Sequence, residues 1–92
     1  MNELYLDVID EQWSNILKIY KKFEDKKPIM LFDMQEKRIY AYPYTDFKSD
    51  LSKKSQNMLQ KQYNDALLDN KVVVFVRDNE QETLVSSSYN LE

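Results

Sequence analysis

The chain has 92 residues, 13 Lys+Arg against 16 Asp+Glu for a formal net charge of -3, and a hydrophobic content of 42%, which suits one ordered domain with a single modest core. It contains no Gly, Cys or His, which excludes glycine-rich phosphate loops, thiol chemistry and disulfides, and the imidazole or thiolate sites of zinc, haem and catalytic triads. The longest apolar runs, Ile29–Phe32 and Val72–Val76, fall far short of the roughly 20 residues that a membrane helix needs.

The N-terminal stretch through Asp7 is acidic where a secretory signal would be basic and then apolar, so a cytoplasmic protein is expected. From about Val8 to Phe23, Ile9, Trp13, Ile16, Leu17, Tyr20 and Phe23 recur at the spacing of one helical face. Asp7, Asp10 and Glu11 stand near the start of this helix and Lys18, Lys21 and Lys22 near its end, each sign offsetting the helix dipole. Pro28 closes the segment and biases Lys27 towards an extended conformation.

Ile29–Met34 and Arg38–Tyr42 are strand-like runs separated by Gln35-Glu36-Lys37, the pattern of a β-hairpin with a loose, glycine-free turn. Beyond Pro43, Phe47, Leu51, Met58, Leu59, Tyr63, Ala66 and Leu67 follow helical spacing as far as Leu68, with a break near Ser49-Asp50 and a stop at Asn70. Val72–Arg77 and Thr83–Tyr89 form a second hairpin pattern, with its bend at Asp78-Asn79. Leu91-Glu92 reads as a vector-derived junction and is given no role.

The order α-β-β-α-β-β predicts a single α+β domain over residues 1–90, a four-stranded, mainly antiparallel sheet with both helices on one face. It is also two copies of one helix-plus-hairpin unit, 7–44 and 50–89. A 43-residue shift lays Asp7 on Asp50, Lys18 on Lys61, Tyr20 on Tyr63 and Phe32 on Phe75, a duplication at the level of pattern. The first and third strands are apolar at nearly every position, as in strands covered on both faces. With two helices on one face, the other face needs another cover, and a second copy of the chain is the simplest.

That reasoning makes Tyr40, Tyr42, Tyr44 and Phe75 the candidate interface, because alternation separates Tyr40 and Tyr42 from Ile39 and Ala41 and exposed aromatics favour interface centres. Packing among the strand's own neighbours is the competing explanation of these rings. The expected function is therefore a protein-interaction module, homodimeric or bound to another protein through an aromatic sheet face. Lys18, Lys22, Lys26 and Lys27 form a basic patch that dipole compensation and solvation already explain.

A nucleic-acid-binding regulator using the same tyrosines with these lysines is the alternative, and the negative net charge and only two arginines, Arg38 and Arg77, count against it. A carboxylate-dependent enzyme is the second alternative, and it predicts a deep pocket lined by at least two acids; a lysine or Ser86-Ser87-Ser88 could also carry catalysis, but no base for those serines is evident. Serines in a last strand are more simply a solvated edge. Asp7, Asp10 and Glu11 lack the spacing of a calcium loop, so no metal, cofactor or membrane partner is expected.

Overall fold

The apolar periodicity of the N-terminal segment forms helix α1, Asn2–Lys22, with Ile9, Ile16 and Tyr20 buried along its inner face. The fold is that of a computed structural model in which the backbone is described for residues 2–78 and 83–90 and side-chain burial for residues 7–78. After α1 comes a single 3-10 turn at Glu24–Lys26. Lys27 is not extended as expected ahead of Pro28; it takes the left-handed region, φ 48 and ψ 64, and its N–H caps that turn through the Glu24 carbonyl.

Strands β1 (Ile29–Asp33) and β2 (Arg38–Tyr42) pair antiparallel, with Ile29 opposite Tyr42 and Asp33 opposite Arg38. The chain then turns at the cis Tyr42–Pro43 peptide, and the Thr45 N–H donates to the Ala41 carbonyl. A short 3-10 segment, Lys48–Asp50, precedes helix α2, Lys53–Leu68. The break predicted at Ser49-Asp50 is real, but the capping residue is Ser52, whose hydroxyl accepts from the Ser55 N–H. Asn70 takes the left-handed conformation, φ 56, just past the end of α2, as its short polar side chain allows.

Strands β3 (Lys71–Asp78) and β4 (Thr83–Asn90) complete the order of elements. Asp78 belongs to β3, and the rest of the predicted bend, Asn79, lies outside the described residues. β1 runs parallel to β3, with Leu31 opposite Phe75 and Asp33 opposite Arg77. β4 is paired antiparallel along the outer edge of β3.

The predicted sheet is therefore corrected. Helices and strands do combine in an α+β manner, but the sheet is mixed and not mainly antiparallel: α-β-β-α-β builds β2-β1-β3, in which β2 and β1 are antiparallel and β1 and β3 parallel. The helices also do not share a face. Ile9, Ile16 and Tyr20 of α1 cluster with Met30, Ala41, Val72, Val74 and Val76, whereas Leu59 and Ala66 of α2 cluster with Ile29, Leu31, Val73 and Phe75.

Alternation along β1 and β3 sends neighbouring side chains to opposite sides, so the apolar runs Ile29–Phe32 and Val72–Val76 each require two covers. The chain supplies both. The segment after β2 crosses the second face and α2 brings the chain back, so that β3 starts beside the start of β1 and runs parallel to it. Two contacts show the return: Lys48 Nζ donates to Gln60 Oε1 at 2.7 Å, and the Tyr63 hydroxyl donates to the Lys27 carbonyl at 2.7 Å. Among the described residues, no helix is long and apolar enough to cross a membrane.

Candidate functional site

Parallel pairing sets Asp33 beside Arg77, each near the C-terminal end of its strand and both on the α2 side by alternation from Leu31 and Phe75. Asp33 is the one buried charged residue of the described core, 3% exposed. Its Oδ1 accepts from the N–H groups of Gln35 and Glu36, 2.9 Å each, and its carbonyl accepts from the Lys37 N–H at 2.8 Å. A carboxylate that satisfies two backbone donors replaces the glycine this turn lacks, and Lys37 takes the one left-handed position, φ 57.

Next to this turn is a cleft of about 500 Å³. Leu31 and Asp33 of β1 and Arg77 of β3 line it together with Gln35 and Glu36 of the turn. Tyr40 of β2 and the crossing segment, through Thr45, Asp46, Phe47 and Asp50, line the rest. The Tyr40 hydroxyl donates to Glu36 Oε1, and that bond, followed by partial desolvation and the charge of Glu36, raises the Tyr40 pKa above its usual 10.0. The Arg38 guanidinium sits 5.4 Å from the centre of the Tyr40 ring. Asp46 Oδ1 accepts from the Ser49 N–H at 3.2 Å, which holds the start of the 3-10 segment against the opening.

Arg77 is half-buried, and its carbonyl accepts from the Met34 N–H at 3.0 Å, tying the ends of β1 and β3 together. Its Nε is shut off from solvent and has no hydrogen-bond partner among the described residues. Buried donors without acceptors are uncommon in folded proteins.

Of the four interface residues expected from sequence, Phe75, Tyr40 and Tyr42 belong to one cluster on the α2 side of the sheet. Phe75 is 0% exposed, under α2. Tyr42 packs edge-on against Phe47 with ring centres 5.9 Å apart, and Lys48 Nζ lies 5.8 Å from its ring. Tyr40 borders the cleft. Tyr44, 41% exposed, stacks on Phe23 at 3.8 Å with Lys26 Nζ 5.9 Å from its ring. Lys18, Lys22, Lys26 and Lys27 are all exposed around the end of α1 and the turn after it. Asp7, Asp10 and Glu11 are exposed along α1, and among the described residues no group of three or more acidic side chains has a metal-holding arrangement. Side chains at Ser86, Ser87 and Ser88 lie outside the described burial.

Sequence reading missed Asp33, Asp46, Asp50 and Arg77 as a group. A local signal existed for Asp33 alone, an acid closing an apolar strand two residues before a polar turn. The meeting of Asp33 with Arg77 depends on a parallel pairing that no local pattern encodes. No family model matches the chain, and no curated protein and no solved structure matches it at a significant level.

Proposed function

We propose that the protein is a binding module that works from the cleft at the C-terminal ends of β1 and β3, taking a small polar ligand. One observation carries this reading: a parallel strand pair opens at its C-terminal ends into a hollow of about 500 Å³ to which the β1–β2 turn, β2 and the crossing segment each contribute polar groups. In open sheets with parallel strands, ligands settle outside the carboxyl ends of the strands, and volumes of roughly 300–1,000 Å³ are usual for small-molecule sites.

Association through an aromatic sheet face, the expectation from sequence, loses its physical motive. It rested on apolar strand surface that two helices on one face left bare, and α2 covers that surface. Among the described residues the large apolar side chains that stay exposed are Tyr44 and Leu68, the latter 87% exposed, and two separate side chains do not make an interface core. Nucleic-acid stacking is weakened as well, since Tyr44 already stacks on Phe23.

Amide chemical shifts recorded against a library of small polar compounds test the binding reading. Ligands are expected to move the signals of Gln35, Glu36, Thr45 and Asp46, and Thr45→Trp, which fills the cleft, is expected to abolish those shifts. Shifts scattered over the helices, or unchanged in Thr45→Trp, would overturn it.

A further inference from the structure

Resting on that reading of the cleft, we infer that its ligand is a zwitterion that carries an ammonium and a carboxylate close together, namely a free α-amino acid. The charges around the opening are opposed and unequal. Asp33, Glu36, Asp46 and Asp50 bring four carboxylates to the lining and Arg77 the single guanidinium. A lone anion such as phosphate would meet Arg77 against the repulsion of four carboxylates, and a lone cation would leave the Arg77 Nε–H without an acceptor. A molecule that presents both charges satisfies both sides.

Arg77 adds the second half of the argument. Its Nε–H has no acceptor among the described residues although it is withdrawn from water, a state that costs free energy and that an incoming carboxylate relieves once the guanidinium turns to face it. The acids are prepared differently. Asp33 is buried with Oδ1 committed to the turn, Glu36 Oε1 accepts from Tyr40 and Asp46 Oδ1 from the Ser49 N–H, and Asp46 and Asp50 stand exposed on the crossing segment. The carboxylate end of the ligand therefore goes inward to Arg77 and the ammonium end outward to Asp46 and Asp50, where each carboxylate has acceptor positions beyond those the fold uses. The partly open cleft, about 500 Å³, has room for one amino acid.

The experiment is a titration of the full chain with each of the twenty L-amino acids, followed by amide and Arg Nε–H chemical shifts. At least one is expected to shift Asp33, Gln35, Thr45 and the Arg77 Nε–H. For that amino acid, the matched amine without the carboxylate and the matched acid without the amine are each expected to bind at least about tenfold more weakly. Arg77→Met is expected to erase the preference for the amino acid over the amine while leaving amine binding in place, and Asp50→Asn to weaken both. Arg77→Lys, which keeps the charge, serves if Arg77→Met does not give a native spectrum, and it is expected to retain part of the preference. Equal binding of the amine and the amino acid would overturn the zwitterion and leave the cleft reading standing. No shift in the cleft with any amino acid, alongside cleft shifts from other polar compounds, would do the same. Silence of the cleft towards every probe would remove both.

Discussion

Asp33 shows how a chain without glycine shapes a tight connection. Its Oδ1 accepts two backbone N–H groups of the β1–β2 turn, so Asp33→Ala leaves those donors without their acceptor, at a cost of about 1.5–3 kcal/mol for bonds to a charged group. Asp33→Asn keeps an oxygen at the same place and is expected to cost less, and urea unfolding of the two variants gives the comparison. Tyr20 and Tyr63 act through protonation. Burial, with smaller contributions from the charges at Glu24 and Tyr63, raises the Tyr20 hydroxyl above its ordinary 10.0, and burial raises Tyr63 as well. The neutral forms are thus favoured in the folded state. Their contribution is complete below about pH 10 and is lost as the pH climbs through the higher folded values. Tyr20→Phe is expected to flatten the fall in stability above pH 10, and unfolding midpoints measured from pH 8 to 11 check it. Legibility at this scale was uneven. Asn70 was foreseen as left-handed because its side chain tolerates that region, but Lys27 and Lys37 take it too, imposed by the connections they close and not by any preference of lysine.

At the scale of elements, helical and strand periodicity was readable because it is local. Ile9, Ile16 and Tyr20 mark the buried face of α1, and Leu59 and Ala66 that of α2. The start of α2 shows the resolution of such reading. The expected cap lay at Ser49-Asp50, and the residue that caps it is Ser52, whose backbone is extended, φ -63 and ψ 159, with its hydroxyl accepting from the Ser55 N–H. Ser52→Ala is expected to destabilise by about 1 kcal/mol, seen as a fall in thermal midpoint of roughly 4–8 °C for a domain of this size. What the elements did with one another was not legible. Two hairpins in sequence suggest antiparallel neighbours throughout, yet the residues from Pro43 to Ser52 carry the chain over the sheet before α2 begins, and this crossing makes β1 and β3 parallel. The same crossing delivers Thr45, Asp46 and Asp50 to the cleft, so the error about topology and the omission of the site have one physical origin.

Over the whole molecule, the apolar runs of β1 and β3 posed the problem of a second cover. A second copy was one solution, and placing the chain's own two helices on opposite sides is the one adopted. The 43-residue shift noted in the sequence takes on geometrical content in this arrangement. It carries Met30 and Ile16, of the α1 cluster, onto Val73 and Leu59, of the α2 cluster, and Leu31, of the α2 cluster, onto Val74 of the other. Faces exchange while strand direction is kept, the relation produced by a two-fold axis lying in the sheet between β1 and β3, and an αββ duplication is proposed on that basis. With both faces filled, the end of the parallel pair becomes the place where polar groups converge. The most direct test of this arrangement is a nuclear Overhauser spectrum of methyl-labelled protein. Leu59 and Ala66 methyls are expected to see the Phe75 ring and Leu31, and Ile16 methyls to see Val74 and Met30. Cross-peaks from both Leu59 and Ile16 to Val74, with none to Phe75, would place the helices on one face and contradict the two-sided cover on which the cleft depends.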